Sequence, residues 1–255
     1  LHDALPILDI TEYTQAAMVT TSVAMMKVME ERGIHADVAA GLSLGEYCAL
    51  VAAGVMTADD AIRTVRERGI LMQEAVPAGV GGMSAVLGMT ADEINAVVDE
   101  IPNVQVANYN CPGQIVISGL KEAVETAAVK LKEAGARRVI PLNVSGPFHS
   151  YLLEEAGEKL GRFLENIPVS EPKIPYVANV TAAYVTKAED VKPLLTRQVS
   201  SSVRWQQSVE TMLADGVDRF IEIGPGKTLA GFIRKINREA TVINIEKFED
   251  LEKLN

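Results

Sequence analysis

The segment GLSLGEY, residues 41–47, constrains the fold of this chain more than any other stretch of the sequence. It places Ser43 two residues from a glycine on each side. The residues before it, 37–40, predict a short buried strand, and residues 46–53 predict a helix. A serine on a tight turn between a strand and a helix is typical of a nucleophile elbow, because the glycines permit the bend and leave room beside the hydroxyl. The same pattern also occurs as a purely structural turn, so other residues must decide its role.

The helix predicted after this turn adds an electrostatic argument. Backbone amides at the start of a helix lack intrahelical partners, and they can donate to negative charge that develops on a substrate oxygen. Acyl transfer through Ser43 is therefore the leading hypothesis for this segment.

Composition places the chain among ordinary globular proteins and argues against several function classes. The 255 residues are 48% hydrophobic and 23% charged, which suits one large domain or two unequal lobes. A formal net charge of −10 argues against nucleic acid as the main partner and offers no attraction to anionic membranes. The longest apolar run, around residues 49–55, is too short to cross a bilayer, and no secretory leader pattern is seen. We therefore expect a cytoplasmic protein.

Cysteine and histidine usage argues against a metal site. Cys48 and Cys111 are the only cysteines, and they form neither a disulfide framework nor a zinc-ligand pattern. The three histidines are His2, His35 and His149, and none has a second histidine at the spacing of a zinc motif. We predict that the protein binds no metal.

The order of predicted elements divides the chain into two lobes. Residues 81–146 predict the order βαββαβ, the split ferredoxin-like pattern, as an insert with hinges at both ends. Residues 1–80 and 147–255 predict alternating helices and strands, which favours a large α/β lobe with a parallel sheet. Outside the elbow, helices are predicted over 15–32, 58–75, 121–134, 151–166, 191–199, 206–215 and 229–238. Thr57 and Thr90 are predicted to cap helices. Strands are predicted over 83–87, 104–109, 114–118, 138–144, 174–180, 219–223 and 240–245, and a turn is predicted at 110–113.

His149 is the best-placed candidate for the general base that a serine nucleophile needs. It lies in VSGPFHS, residues 144–150, directly after the predicted insert, where a cleft between two lobes should form. His2 lies near the first residue, and His35 lies in a polar turn before the elbow strand. The alternative for His149 is a capping or core histidine.

Arg68 is a candidate for binding an anion. On its predicted helix it flanks an apolar seam that contains Val65 and Met72, whereas Arg63 and Arg66 point away from that seam. An arginine at the edge of a buried face needs an anionic partner, because an unpaired buried charge is costly. That partner is either an acidic side chain of the protein or a substrate carboxylate held by the planar guanidinium.

Six segments of the chain form an ordered pattern from about Tyr13 onward. They are GLSLGEY, ERGILMQEAVPAG, ANYNCPGQIVISG, VSGPFHS, TRQVSSSVRW and EIGPGKTLAGF. This order resembles the malonyl-CoA:acyl carrier protein transacylase family of fatty-acid synthesis. The resemblance implies an α/β hydrolase-like lobe that carries a ferredoxin-like insert, and it implies transfer of malonyl from coenzyme A to acyl carrier protein without a further cofactor.

The resemblance also assigns roles to individual residues. It implies that Ser43 attacks the malonyl thioester and that His149 is the base and later the acid. The backbone carbonyl of Gln198 would orient His149, and the amide of Leu44 would be one oxyanion donor. Arg68 would pair with the malonyl carboxylate.

Three further positions follow from the resemblance. Asn110 and Asn179 match loops near the cleft. Phe148, beside the base, matches the malonyl-type pattern, because a bulky ring there would crowd an α-methyl group. Such crowding discriminates between acyl groups by a few kcal/mol at most.

The chain departs from the family pattern in two places. Leu42 stands where the family usually has histidine, although that side chain is not the base. Family members open with a strand and a G-Q-G-x-Q loop whose glutamine supplies a second oxyanion amide, and the sequence has no such motif. We expect that roughly 50 residues of the family pattern, including its first strand, are absent from this chain, and that the first few residues of the chain are not native sequence.

The reaction that the resemblance implies requires two partners, coenzyme A and acyl carrier protein. Coenzyme A and acyl carrier protein both carry phosphopantetheine, and the carrier protein is acidic, so docking needs a local basic face. We expect a monomer. Seven basic residues could supply that face, or could be scattered solvated charges: Arg137, Arg138, Arg204, Lys227, Arg234, Lys235 and Arg238.

Three alternatives stay open at this point. An esterase or thioesterase of the same architecture would need an acidic third member beside His149, and it would leave Arg68 unexplained. A carrier-binding fragment without turnover would be favoured by the lack of the G-Q-G-x-Q loop. A domain of a polyketide synthase would be favoured by a linker or a fused domain.

Overall fold

The computed structural model describes Leu8 and residues 10–254. Helix α1 spans Thr11–Glu31, so it begins one turn before the predicted start. Gly33 follows at φ +77°, a left-handed conformation that glycine adopts without a steric penalty after a helix. None of the described helices is long and apolar enough to cross a membrane. The prediction about residues 1–7, including His2, lies outside the described residues.

The elbow segment forms the predicted strand, turn and helix. Strand β1 is Ala39–Ala40 and helix α2 is Gly45–Ala52. Helix α3, Ala58–Glu74, follows, and the Thr57 hydroxyl accepts a hydrogen bond from the Asp60 amide as a helix cap should. Helices α1 and α3 pack against each other and cover the elbow from one side.

The insert has the ferredoxin-like topology that its sequence predicts. Its four strands pair antiparallel in the order β3-β4-β2-β5, as split βαβ units require. The elements are β2 Gly81–Leu87, α4 Ala91–Val98, β3 Val104–Cys111, β4 Gln114–Leu120, α5 Lys121–Glu133 and β5 Arg138–Pro141. The domain boundaries at 80/81 and 146/147 stay a prediction.

The two faces of this antiparallel sheet have different neighbours. Helices α4 and α5 bury Ile94, Ile117 and Leu131 against one face, and each such side chain contributes about 1.5–3 kcal/mol when fully buried. The opposite face carries a smaller apolar cluster that includes Met83 and contacts Phe148. Phe148 therefore connects the insert to the loop that carries His149.

Four predicted strand boundaries in the insert are wrong: β2 begins two residues earlier and β4 ends two residues later than predicted, and the ends of β3 and β5 also differ. Strand β3 continues to Cys111, so Asn110 lies in a strand rather than in a turn, because the Cys111–Gln114 pair still belongs to the ladder with β4. The turn is reduced to Pro112 and Gly113, whose φ of +72° suits a tight hairpin. Strand β5 ends at Pro141 rather than 144, although the Leu142 amide still donates to the Met83 carbonyl at 2.9 Å.

The rest of the large lobe alternates between helices and short strands. It begins with a 3₁₀ turn at Tyr151–Leu153, where one continuous helix was predicted. The elements that follow are α6 Glu154–Leu164, β6 Tyr176–Val177, β7 Tyr184–Val185, α7 Ala188–Gln198, α8 Trp205–Ala214, β8 Arg219–Ile223, α9 Thr228–Ile236, β9 Thr241–Ile245 and a final 3₁₀ segment Phe248–Leu254.

The fold class is α/β as predicted. The described part of the large lobe, however, has two separate small sheets instead of the single parallel sheet that was predicted. Strands β1 and β6 pair parallel, and β7, which was not predicted, joins them antiparallel. Strands β8 and β9 form a separate parallel pair. Strand β6 has only two residues, not the predicted seven, because the chain turns back at Ala178, whose amide donates to the Ala183 carbonyl.

A large cavity separates the two pieces of sheet. Its volume is about 1380 Å³, and both β1 and β8 border it. Helix α1 closes one side with apolar residues such as Met26, and Trp205 and Phe232 close the other. Leu42 and Leu44 of the elbow also line it, so this cavity lies directly beside the predicted nucleophile turn.

Backbone hydrogen bonds join the insert to the large lobe next to the cleft. The Val203 amide donates to the Ala107 carbonyl at 2.8 Å, and the Tyr109 amide donates to the Val203 carbonyl at 2.9 Å. The segment between α7 and α8 therefore continues the sheet of the insert by one short bridge. This contact holds the two sides of the cleft at a defined distance.

Candidate active site

Ser43 lies at the tip of the turn between β1 and α2 in a strained backbone conformation. Its φ is +52°, which a residue with a side chain adopts only when its surroundings impose it. A side chain at Gly41 would place its Cβ 2.0 Å from the Gly45 carbonyl oxygen, whereas a Cβ at Gly45 would meet no atom within 4 Å. The turn therefore requires glycine at 41 for steric reasons, and the same requirement does not apply at 45.

Asn179 holds the backbone of this turn from the loop after β6. Its side-chain oxygen accepts a hydrogen bond from the Ser43 amide, and its side-chain nitrogen donates to the Gly41 carbonyl at 2.7 Å. Asn179 is fully buried. Since both ends of the amide bind the turn, Asn179 supports the strained conformation of Ser43, and its backbone carbonyl accepts from the Arg204 amide at 2.9 Å.

The Ser43 hydroxyl faces His149, which comes from the loop after the insert. The Ser43 Oγ lies 2.7 Å from His149 Nε2, and His149 Nδ1 lies 2.9 Å from the Gln198 backbone carbonyl oxygen. A carbonyl only accepts, so Nδ1 carries the proton and donates to it. The Nε2 atom then has a lone pair and accepts the hydrogen bond of the Ser43 hydroxyl. This is the tautomer that a general base requires.

Burial keeps His149 uncharged at neutral pH. Removal from water and, second, the positive charge of Arg68 lower the pKa of His149 to about 4. A lowered pKa means that the imidazole stays neutral until the pH falls well below the ordinary value for histidine. At neutral pH its Nε2 can therefore take a proton from Ser43.

The loop that carries His149 is itself strained and fastened. His149 has φ +57°, in the left-handed region. Gln105 on β3 donates through Nε2 to the His149 carbonyl at 3.1 Å and to the Ser200 carbonyl at 3.3 Å, and its Oε1 accepts from the Tyr151 amide at 3.0 Å. A residue of the insert thus fixes the loop of the large lobe that presents the base.

Arg68 is buried beside Ser43, with 1% of its surface exposed. Its Nη1 donates to Gln15 Oε1 at 2.7 Å, and its Nη2 donates to Gln198 Oε1 and to the Ser43 Oγ, both at 3.0 Å. Arg68 Nε is buried without a hydrogen-bond partner. No ion pair to Arg68 forms among the described residues.

The surroundings of Arg68 favour one of the two alternatives for its partner. Neutral amide oxygens orient the guanidinium, and burial lowers its pKa from the ordinary value. A buried cation that is oriented by neutral groups and not neutralised by a contacting carboxylate is suited to pair with an incoming anion. The arrangement favours a carboxylate on the substrate over an internal salt bridge.

Glu46 completes the buried polar cluster, and sequence analysis did not select it. It lies on the first turn of α2 and is 1% exposed. Its Oε2 accepts hydrogen bonds from Gln198 Nε2 at 2.7 Å and from the Asn179 amide at 3.2 Å. Burial raises the pKa of Glu46 to about 7, although these hydrogen bonds and the charge of Arg68 oppose the rise.

The remaining predicted site residues differ in their relation to this cluster. The Leu44 amide lies at the start of α2, and no hydrogen bond among the described residues uses it, so it is available to an oxyanion. Phe148 is half-buried and packs between the core of the large lobe and the insert. Asn110 is buried on β3 and lines the large cavity, and it makes no described hydrogen bond to Ser43, His149 or Arg68.

The described residues contain no group of three or more histidine, cysteine, aspartate or glutamate side chains that could hold a metal ion. The polar cluster consists of a hydroxyl, a neutral imidazole, a guanidinium, the Glu46 carboxyl group and the side-chain amides of Gln15, Asn179 and Gln198. Chemically, this arrangement can remove a proton from a serine and place a cation beside the ester that forms on it.

Comparison with known proteins agrees with this chemistry. Residues 2–248 match the family model of the acyl transferase domain. The chain is 47% identical over 249 residues to the malonyl CoA-acyl carrier protein transacylase of Bacillus subtilis, covering 96% of this chain and 78% of that protein.

Solved structures give the same result. An acyl carrier protein S-malonyltransferase from Vibrio cholerae superposes with a TM-score of 0.95 at 41% identity, covering 98% of this chain and 83% of that one. A malonyl-transacylase in complex with its type II PKS acyl-carrier protein superposes with a TM-score of 0.94 at 41% identity, covering 96% and 81%. The chain therefore belongs to the acyl transferase family, among the malonyl CoA-acyl carrier protein transacylases.

Proposed function

We propose that this protein transfers a malonyl group from coenzyme A to the phosphopantetheine thiol of acyl carrier protein, through an ester on Ser43, and so supplies fatty-acid synthesis. The observation that carries the proposal is the position of the Ser43 Oγ between two groups. His149 Nε2 lies 2.7 Å away to take its proton, and Arg68 Nη2 lies 3.0 Å away to receive the malonyl carboxylate.

The first half-reaction forms the acyl-enzyme. His149 Nε2 takes the proton of Ser43 as the Oγ attacks the thioester carbonyl carbon, and the carbonyl becomes an oxyanion. The Leu44 amide donates to this oxyanion. The C–S bond then breaks, and the proton on His149 passes to the departing thiolate of coenzyme A. The imidazolium formed in between is stabilised by the Gln198 carbonyl that accepts from Nδ1.

The second half-reaction reverses these steps with a different thiol. His149 takes the proton of the carrier protein's phosphopantetheine thiol, and the sulfur attacks the Ser43 ester. The tetrahedral intermediate collapses by breaking the bond between the acyl carbon and the Oγ, and His149 returns the proton to Ser43. Because a thiol replaces water in this step, exclusion of water from the buried cluster matters for transfer over hydrolysis.

The same geometry argues against the esterase alternative. A hydrolase of this architecture would pair its histidine with an aspartate or glutamate. Here His149 Nδ1 faces the neutral carbonyl of Gln198 instead. The buried guanidinium of Arg68 also has a use in the malonyl proposal and none in a general esterase.

The partners of the proposed reaction are malonyl-CoA and acyl carrier protein, and no separate cofactor is needed. Docking of the acidic carrier would use basic residues near the cleft. Of the seven candidates, Lys235 lies near the insert, where its Nζ donates to Gln114 Oε1 at 3.2 Å, and Arg234 donates to the Val242 carbonyl. We propose that the protein acts in the cytoplasm as a monomer.

Steady-state kinetics of malonyl transfer test the proposal. An acyl-enzyme mechanism gives parallel lines in double-reciprocal plots when malonyl-CoA is varied at several carrier concentrations. Intersecting lines would contradict a covalent intermediate. Rapid release of free malonate without carrier would support a hydrolase instead.

Arg68→Gln should remove the preference for acyl groups with a free carboxylate. The substitution deletes a buried charge-assisted contact, so kcat/KM for malonyl-CoA should fall by about 100-fold or more, while kcat/KM for acetyl-CoA should change by less than about threefold. Rates of Ser43 acylation by the two thioesters provide the measurement. The matched control is Arg66→Gln on the same helix, which removes a half-exposed arginine that pairs with Glu12 and should leave the ratio unchanged.

Gln105→Leu should slow the reaction by about tenfold in kcat with little change in KM, because the loop that presents His149 loses its anchor in the insert. Gln206→Leu is the matched control, because the Gln206 side chain donates to Glu210 within α8 and makes no hydrogen bond to that loop among the described residues. Equal kcat for Gln105→Leu and the parent chain would show that the loop holds His149 without this contact.

A further inference from the structure

Glu46 is a buried carboxylate that takes no part in the proton transfers described above. It follows Ser43 by three residues, and its Oε1 has no hydrogen-bond partner. Burying a carboxylate costs free energy unless its contacts compensate, so a residue of this kind needs an explanation. The hydrogen bonds that Glu46 Oε2 accepts provide this explanation.

The hydrogen-bond chain through Gln198 has only one consistent orientation. Arg68 can only donate, and the Ser43 carbonyl can only accept. Gln198 Oε1 therefore faces Arg68 Nη2 at 3.0 Å, and Nε2 donates to the Ser43 carbonyl at 2.8 Å and to Glu46 Oε2 at 2.7 Å. An ionised Glu46 accepts without donating, so it prevents the Gln198 amide from turning its nitrogen toward Arg68.

The second contact of Glu46 reaches the other support of the turn. Its Oε2 also accepts from the backbone amide of Asn179, whose side chain binds the Ser43 amide and the Gly41 carbonyl. One buried oxygen thus anchors both residues that surround Ser43, each from a different part of the chain.

We propose that Glu46 is a positioning residue for malonyl selection, because it fixes the side-chain amide of Gln198 in the orientation that directs the Arg68 guanidinium into the acyl site. Glu46 acts through Gln198 and touches neither the acyl group nor His149. The inference rests on the proposed function, since it assigns how the malonyl-binding cation is held.

The charges around Glu46 predict a pH signature for this role. The titratable groups that face it are Arg68 on α3, Tyr47 on α2 and Tyr176 on β6, and of these only Arg68 is charged at neutral pH. The pKa of Glu46 is raised to about 7, so its carboxyl loses its charge as the pH falls through neutrality. A protonated Glu46 is a weaker acceptor and can also donate, so one of the three contacts that fix the Gln198 orientation is weakened. The pKa of His149 is about 4, so the base stays neutral over the same range.

Glu46→Gln is the direct test, since it keeps the size of the side chain and removes its charge. At about pH 8 we expect the ratio of kcat/KM for malonyl-CoA to kcat/KM for acetyl-CoA to fall by about 10- to 100-fold, while kcat/KM for acetyl-CoA itself falls by about fivefold, because Glu46 also supports the Ser43 turn. In the parent chain the malonyl preference should decline between about pH 8 and pH 6, and in Glu46→Gln it should be low and independent of pH. An unchanged preference and an unchanged pH profile in Glu46→Gln would overturn the inference.

A matched control and a second variant separate positioning from folding. Glu222→Gln makes the same chemical change at a carboxylate that accepts hydrogen bonds from the Leu229 and Ala230 amides at the start of α9, and it should leave the acyl preference unchanged.

Gln198→Met is the second variant, because it keeps the backbone carbonyl that faces His149 and removes the side-chain amide. If Glu46 acts through Gln198, then adding Glu46→Gln to Gln198→Met causes no further loss. Full additivity of the two losses would contradict the action of Glu46 through Gln198. If Glu46→Gln does not fold, the malonyl preference of Gln198→Met alone tests whether the Gln198 amide positions Arg68.

A readout without malonyl distinguishes failure of the inference from failure of the proposed function. Phenylmethylsulfonyl fluoride modifies an activated serine, so its rate reports the placement of Ser43, which Glu46 supports through Asn179 and Gln198. We expect Glu46→Gln to slow this modification by about fivefold or more at pH 8. If the parent chain reacts with the reagent but gains no malonyl group, the proposed function fails while the positioning role is still measured. Equal modification rates in both proteins would count against the positioning role.

Discussion

Ser43→Ala is expected to abolish formation of the acyl-enzyme and to lower malonyl transfer by about 10⁴-fold or more. The substitution removes the only atom in the cluster that both contacts His149 Nε2 and can form an ester. When a covalent nucleophile is lost, the remaining groups act on no common intermediate, so the effect is far larger than that of one hydrogen bond. Residual transfer would have to proceed by direct attack of the carrier thiol on malonyl-CoA.

Ser208→Ala is the matched control for this substitution. Ser208 is also buried, and its hydroxyl donates to the Arg204 carbonyl within α8, away from the elbow. We expect it to keep parental activity in the same transfer assay with malonyl-CoA and acyl carrier protein. Transfer by Ser43→Ala within tenfold of that control would show that another group carries the acyl chain.

His149→Asn is expected to lower kcat/KM for acylation by about 10³- to 10⁴-fold. Asparagine cannot accept and return the serine proton at neutral pH, so Ser43 must attack without a base. Asparagine is chosen because it tolerates the left-handed backbone of this position, φ +57°, better than alanine does. The fall should therefore report lost proton transfer rather than a rearranged loop.

His35→Asn controls for this change, because His35 is exposed and lies before the elbow strand. Acylation rates of the two variants are measured by stopping the reaction at short times and determining the modified fraction of the protein. A His149→Asn variant that acylates as fast as His35→Asn would mean that the 2.7 Å contact with Ser43 is structural.

Short local patterns predicted the parts of the site that depend on neighbours in sequence. The glycine spacing in residues 41–47 was enough to predict the strand, the turn and α2, because a sharp bend has few backbone solutions. The βαββαβ order was likewise readable from alternating periodicity, and the strand order of the insert follows from that order. The position of His149 after the insert predicted that it would face a cleft.

The contacts among distant residues could not be predicted in the same way. Gln15 binds Arg68 across 53 positions, and nothing in the helical pattern around Gln15 distinguishes it from a surface glutamine. Glu46 did carry a signal, since it precedes the apolar run of α2 and is buried with it. The two groups that donate hydrogen bonds to it come from α7 and from the loop after β6, and a single sequence does not show that these segments meet α2.

The large-lobe sheet shows the same limit for backbone pairing. Strand β7 has two residues, too few for an alternating pattern, and β6 is interrupted by a turn at Ala178. Strands as short as these are set by their partners rather than by their own propensity. The extension of β3 through Asn110 has the same origin, because the ladder with β4 overrides the turn preference of the Asn-Cys-Pro-Gly sequence.

The intact mass of the purified chain after incubation with malonyl-CoA tests the covalent mechanism most directly. We expect the parent chain to gain the mass of one malonyl group, Ser43→Ala to gain none, and addition of acyl carrier protein to remove the group from the parent with its recovery on the carrier. Two results would contradict the mechanism: a folded parent chain that gains no malonyl group, or a malonyl group that forms equally on Ser43→Ala.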